Sequence, residues 1–325
     1  MSKAIRIHET GGPEVLRWED VEVGAPGPGE VRLRQTAVGL NFIDTYHRSG
    51  SYPVGALPSG IGMEGAGIVE EVGEGVDDMK SGDRVAYAGG PLGGYAEERN
   101  IPAARLVSLP DGIDDQHAAA TMLKGLTSHY LVRRCYSIRS GDTILIHAAA
   151  GGVGLIVCQW AKSLGATVIG TVGTPEKAEL AASHGCDHPI LYRDENFVER
   201  VRELTNGEGV PVVYDSVGRD TFDGSLDCLA PLGLMVTFGQ SSGSVPPLPV
   251  NELTTHGSLF LTRPSVATYT ATREQLTTSA AELFDVVEKG VVKIEVNQTY
   301  PLAQAEQAHR DLEGRKTTGS TVLLP

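Results

Sequence analysis

The chain has 325 residues, 41% of them apolar and 21% charged, and a formal net charge of −14. That length has room for two domains, and the composition is that of a globular protein, neither disordered nor membrane-spanning. The acidic balance, with no Lys/Arg cluster to offset it, excludes nucleic-acid binding driven by phosphate neutralisation. The N-terminus shows no apolar core of a secretory signal. The cysteines, Cys135, Cys158, Cys186 and Cys228, are widely spaced and form no C-x-x-C. They read as reduced thiols of a cytoplasmic protein.

Residues 1–124 read as mainly β. Residues 4–8 and 31–38 alternate as strands, separated by the turn cluster Pro26-Gly27-Pro28-Gly29-Glu30. Residues 68–73 and 82–87 are further strands, and 89–94 a glycine-rich loop. Short strands at this spacing predict a compact, barrel-like domain. A helix from Asp114 to Tyr130 then leads into a second domain.

From Asp142 the pattern becomes alternating β and α. The apolar run 143–148 predicts a buried strand, followed by Ala149-Ala150-Gly151-Gly152-Val153-Gly154. Val153, Ile156, Val157, Trp160 and Leu164 recur at helical spacing, and residues 166–172 form a second strand. This is a right-handed βαβ unit. Its glycine turn and helix N-terminus suit a diphosphate, although Ala149 holds the first glycine's place in the dinucleotide fingerprint. The second strand ends Gly170-Thr171-Val172-Gly173-Thr174, without the carboxylate that would bind a ribose 2′-hydroxyl. Lys177 follows one turn into the next helix. A missing acid and a nearby cation predict a 2′-phosphate, hence NADPH.

Helix 175–184, strand 190–192, helix Phe197–Leu204, strand 210–214, helix 221–229 and strands 234–238 and 259–262 complete a doubly wound Rossmann sheet. Residues 240–253 are Ser/Gly/Pro-rich and read as a loop. His184, Cys186 and His188 match no standard zinc spacing and read as a connection. After Pro264 come a helix (273–289), a strand (295–300), a helix (302–313) and the strand Ser320–Leu324. These break the parallel rhythm and are assigned to the first domain. The predicted organisation is a catalytic domain of residues 1–124 plus 264–325. An NADP-binding domain of residues 125–263 is inserted in it, with a cleft between the two.

Several stretches together resemble one family: Val38-Gly39-Leu40-Asn41-Phe42-Ile43-Asp44, Gly62-Met63-Glu64-Gly65-Ala66-Gly67, residues 147–154, Tyr214-Asp215-Ser216-Val217-Gly218 and Thr262-Arg263-Pro264-Ser265. The chain is similar over its whole length to the zinc-free quinone oxidoreductases of the zeta-crystallin type, within the medium-chain dehydrogenases/reductases. The resemblance implies a mainly β, GroES-like catalytic domain around the Rossmann domain. The superfamily's zinc enzymes place a histidine where Met63 stands and a cysteine near Asn41, and they carry a cysteine quartet. None of these is present here, which points away from zinc.

Carried over position by position, the resemblance places Asn41 and Thr127 beside the nicotinamide. Ala150, Gly151, Gly152 and Val153 would meet the diphosphate. Gly173, Lys177 and Tyr192 would hold the 2′-phosphate, with Arg315 closing over it. Ser216, Phe238, Gly239, Ser241, Thr262 and Arg263 would line the nicotinamide ribose. Tyr46 and Tyr52 would face the acceptor, with Asn41 as a hydrogen-bond donor and Asp44 as a brace. The implied activity is reduction of a quinone by NADPH. The alternatives are reduction of an alkenal or enone double bond, or an NADPH-binding structural or RNA-binding role like that of crystallins, the last opposed by the acidity. A homodimer is expected through the last Rossmann strand, residues 258–262.

Overall fold

A computed structural model describes all 325 residues. The chain forms two units: Met1–Leu126, Thr270–Glu288 and Ile294–Pro325 make the first, Thr127–Tyr269 and Lys289–Lys293 the second. Eight strands precede the second unit: β1 (Ser2–Ile7), β2 (Arg17–Val21), β3 (Glu30–Leu40), β4 (Ser59–Gly60), β5 (Glu64–Val72), β6 (Arg84–Ala88), β7 (Glu98–Pro102) and β8 (Leu106–Ser108). The second unit contributes β9 (Thr143–Ile146), β10 (Thr167–Val172), β11 (His188–Leu191), β12 (Val210–Asp215), β13 (Leu229–Thr237) and β14 (Phe260–Thr262). The strands β15 (Val296–Pro301) and β16 (Ser320–Leu324) return to the first.

In the first unit a seven-stranded sheet runs β15-β16-β3-β5-β6-β8, with β7 also on β3, and β2-β1-β4 form a smaller sheet. β3 shows why. Val31, Leu33, Gln35 and Ala37 are buried in alternation, and Val31 and Leu33 meet Val69, Val85, Ile101 and Leu106 in one core. The one polar member, Gln35, donates its amide to Gly94 O and Ala96 O at 2.7 and 2.6 Å, so its burial leaves no donor wanting.

In the second unit all six strands are parallel, in the order β11-β10-β9-β12-β13-β14. Sequence order reverses between β9 and β12, which opens a crevice at the carboxyl ends of those two strands. Ile144, Leu145 and Ile146 are wholly buried, as a central parallel strand requires. Five helices matter below: α1 (Phe42–Ser49), α2 (Asp115–Tyr130), α3 (Gly152–Ser163), α4 (Pro175–Ser183) and α5 (Phe197–Leu204). The side chain of Thr174 caps α4 and that of Asn196 caps α5, contributions of about 1 kcal/mol each.

The fold differs from the sequence reading in places. α1 has no counterpart in it, because a short run with aromatic and β-branched residues carries little helical periodicity. β13 starts at Leu229, earlier than residue 234, and a short helix, Asn251–Thr255, closes the segment read as a loop.

Candidate active site

On the second unit, the turn after β9 reverses at Ala148, whose φ of 55° is left-handed and uncommon for a residue with a Cβ. Ala149 is buried and donates its N–H to Thr171 O at 3.0 Å. The reversal therefore falls one residue before the missing glycine, and an alanine at 149 is accommodated. Gly151 caps α3 in extended conformation. At Gly154 a Cβ would stand 2.3 Å from Ala148 O and 2.6 Å from Ala149 O. Only glycine lets α3 press this closely on the turn. Ala150, Gly151, Gly152 and Val153 thus gather where the first N–H groups of a helix lack intrahelical acceptors, a site for anionic oxygen.

A buried polar chain underpins this turn. His147 Nδ1 lies 2.9 Å from Thr171 Oγ1 and its Nε2 lies 2.9 Å from Ser225 Oγ. Ser225 Oγ lies 3.1 Å from Asp215 Oδ2, while Asp215 Oδ1 accepts from the N–H groups of Val217 and Gly218 at 2.7 and 3.0 Å. Burial lowers the His147 pKa, against the Asp215 carboxyl, which raises it. The chain ties together the carboxyl ends of β9, β10 and β12, which frame the crevice.

Gly173, Lys177 and Tyr192 come together at the ends of β10 and β11. A Cβ on Gly173 would meet the Tyr192 hydroxyl at 2.8 Å, and Tyr192 N–H donates to Val172 O. Lys177, half-buried, sits in the first turn of α4, its N–H on the capping Thr174. No carboxylate ends β10. Glu176, exposed on the same turn, has its pKa lowered by a hydrogen bond with Thr174.

Ser216, Phe238, Gly239, Ser241 and Arg263 also converge. Phe238 N–H donates to Asp215 O at 2.8 Å and Ser241 N–H to Ser216 O at 3.2 Å. Arg263 donates to Gln240 Oε1 at 2.9 Å and reaches Thr237 Oγ1 and Gly239 O at 3.4 and 3.5 Å. Thr262 joins them through the pairing of β14 with β13. Thr127 is buried in the last turn of α2, hydrogen-bonded with Tyr130. Tyr130 in turn stacks on Tyr269 at 4.7 Å.

On the first unit, Asn41 stands at the N-terminus of α1. Its backbone N–H donates to Asp44 Oδ2 at 2.9 Å and its side-chain nitrogen to Glu64 Oε2 at 2.7 Å. The remaining side-chain hydrogen faces Gly39 O at 3.5 Å. The Asn41 amide nitrogen thus faces the fully buried Glu64 side chain. Glu64 also accepts from Leu123 N–H at 2.6 Å and from Lys124 Nζ at 3.3 Å. Lys124, buried, donates to Leu40 O as well. Lys124 lies sixty residues from Glu64, and no local pattern marks it. Tyr46 and Tyr52 are half-buried, with ring centroids 5.3 Å apart at 59°. Arg315, exposed, follows the helix Ala305–Glu313 of the same unit with a left-handed φ of 58°.

Residues 27–111 match the family described as "Alcohol dehydrogenase GroES-like domain" and residues 152–283 that described as "Zinc-binding dehydrogenase". The chain is 57% identical to a quinone oxidoreductase of Pseudomonas aeruginosa, with both chains covered completely. It belongs to the quinone oxidoreductase family. This family member is also 51% identical to the Escherichia coli quinone oxidoreductase solved in complex with NADPH, at a TM-score of 0.98 over 99% of this chain and 100% of that one. A 2-haloacrylate reductase of a Burkholderia species is 50% identical over 100% of this chain and 99% of its own. Its fold is the medium-chain dehydrogenase/reductase fold, a Rossmann-type domain with a GroES-like one.

The zinc in one family description does not fit these residues. Glu64 is engaged by Asn41, Leu123 and Lys124, and no three His, Cys, Asp or Glu side chains converge to hold a metal. A dinucleotide does fit. Gly154 presses the helix onto its turn, and the corner at Gly173 offers a lysine and a tyrosine but no acid at the strand end.

Proposed function

We propose that this protein is an NADPH-dependent quinone oxidoreductase that reduces quinones by hydride equivalents without a metal. The observation that carries this reading is the corner of Gly173, Lys177 and Tyr192 on a family member whose full-length relatives are quinone oxidoreductases. The bound cofactor supplies hydride to an electron-poor ring or double bond. Ala150, Gly151, Gly152 and Val153 hold its diphosphate, and Lys177, Tyr192 and Gly173 its 2′-phosphate, with Arg315 as a further cation. Ser216, Phe238, Gly239, Ser241, Thr262 and Arg263 meet the ribose, and Thr127 the nicotinamide. Tyr46 and Tyr52 offer the acceptor an aromatic face, while Asn41 keeps the start of α1 in place. A quinone spreads the developing oxyanion over its ring, so positioning contributes more than a Lewis acid.

The test is oxidation of NADPH and NADH against benzoquinones, naphthoquinones, enones and 2-haloacrylates. We expect NADPH with quinones to give the highest kcat/KM. A preference for NADH would overturn the cofactor assignment. The 50% identity to a 2-haloacrylate reductase supports the second reading, reduction of an activated double bond, and turnover of only the enones or acrylates would select it. Tight NADPH binding without turnover would select a crystallin-like binding role.

We also assign the protein to the cytoplasm, on the strength of four free cysteines. No helix is long and apolar enough to cross a membrane. The partner proposed is a second copy. β14 has a sheet neighbour on one side only, and its Phe260 and Leu261 are 60% and 38% exposed, an apolar edge suited to continuous pairing across a dyad.

A further inference from the structure

Asp44 is completely buried in the first unit, and it closes a hydrogen-bonded chain that no local pattern connects. Glu313, whose side chain is partly exposed, takes both terminal nitrogens of Arg48 at 2.9 and 2.8 Å. Arg48 Nη1 lies 3.0 Å from His309 Nδ1, and His309 Nε2 lies 3.1 Å from the Tyr95 hydroxyl. Tyr95 donates to Asp44 Oδ2 at 3.0 Å. Each step has one consistent direction. Arginine only donates, so His309 Nδ1 accepts and Nε2 carries the hydrogen. Tyr95 then accepts from His309 and donates to Asp44. The same Oδ2 accepts the backbone N–H of Asn41, and Asp44 Oδ1, buried, has no partner.

We propose that Tyr95 and His309 are positioning residues for the reaction, holding Asp44 and through it the N-terminus of α1, which carries Asn41 and Tyr46. The proposal rests on the quinone reductase reading above. Two buried carboxylates grip Asn41, one on its side chain and one on its backbone. Glu64 has Lys124 beside it, whereas Asp44 has only hydrogen-bond donors and the more distant charges around it. The groups facing Asp44 are Glu64 from β5, Lys124 from α2 and Tyr95 from the segment before β7. Arg48 of α1 and His309 of the C-terminal helix stand behind Tyr95. Burial pushes the Asp44 carboxyl up to about 7, and the hydrogen bonds from Asn41 and Tyr95 pull it down. The state of its proton near neutrality therefore depends on the chain behind it.

The experiment compares wild type with Tyr95→Phe, His309→Gln and His309→Leu in the full-length protein. NADPH binding is followed by fluorescence, kcat by quinone turnover from pH 5.5 to 9, and protection of the 41–49 amides by hydrogen exchange. Tyr95→Phe removes a donor that lowers the Asp44 pKa. We expect an acidic limb of kcat displaced upward by about one pH unit, and kcat at pH 7 about fivefold down. NADPH affinity should stay within about twofold, and the Asn41 amide should lose protection. His309→Gln can still accept from Arg48 and donate to Tyr95, so it should stay near wild type. His309→Leu cannot, and should behave like Tyr95→Phe. Folded variants with wild-type kcat, pH profile and exchange would overturn the proposal, and so would equal losses in His309→Gln and His309→Leu. Should Tyr95→Phe fail to fold, the His309 pair decides. Should wild type reduce no quinone, the functional reading fails separately, and exchange at the Asn41 amide still tests the chain.

Discussion

Asp44 and His309 sit on one hydrogen-bonded chain and titrate in opposite senses. Asp44 is raised by burial from 3.8 to about 7. Between roughly pH 4 and 7 the folded protein holds a proton there that the unfolded chain has lost, so its contribution to stability falls as pH rises. His309 is lowered to about 3, first by burial and then by Arg48. Between roughly pH 3 and 6.5 the unfolded chain holds the proton and the folded protein does not, so that contribution rises with pH. Each slope is about 1.4 kcal/mol per pH unit, and from roughly pH 4 to 6.5 they cancel. Replacing one member exposes the other. In urea unfolding at pH 4.5, 5.5 and 6.5, His309→Gln should lose stability with rising pH relative to wild type, and Asp44→Asn should gain it. Parallel wild-type and variant curves would refute both assignments.

At the level of the element, the helix α3 depends on one missing side chain. A Cβ at Gly154 would press on two backbone carbonyls, Ala148 O and Ala149 O, and neither can rotate away as a side chain could. Gly154→Val should lower stability by about 2–3 kcal/mol, as overpacking does, and weaken NADPH binding at least tenfold because the N–H groups of the turn move with the helix. Thermal unfolding with and without NADPH would measure both, and a fully bound, normally stable variant would contradict the account. This turn was legible in the sequence, since strand, glycines and helix are contiguous and each carries its own period. So were the parallel order of the sheet and the acid-free end of β10. What stayed hidden depends on contacts between distant segments. Lys124 with Glu64, His147 with Ser225, and Arg48 with His309 are separated by 60 to 261 residues. The inward turn of the Asn41 amide follows from such a contact.

For the whole molecule, the feature open to a direct test is the free edge at β14. Phe260 and Leu261 project from it, and a lysine on a strand edge opposes pairing. Phe260→Lys should shift the protein from dimer to monomer in sedimentation at micromolar concentration while its NADPH affinity remains. A monomeric wild type would refute the dimer.

The strand β16 has a consequence for synthesis. Ser320–Leu324 lies inside the seven-stranded sheet, between β15 and β3, with Val322 and Leu323 fully buried. The ribosome makes β3 well before β16, which follows some 280 residues later. Throughout that interval residues 38–40 of β3, the stretch that β16 pairs, lack that neighbour, while β7 pairs only residues 30–34, whereas the six parallel strands of the second unit are complete once Thr262 has emerged. The sheet of the second unit, begun later, can therefore be completed first. The earlier-made sheet waits for β16, with the 38–40 edge of β3 unpaired in the meantime.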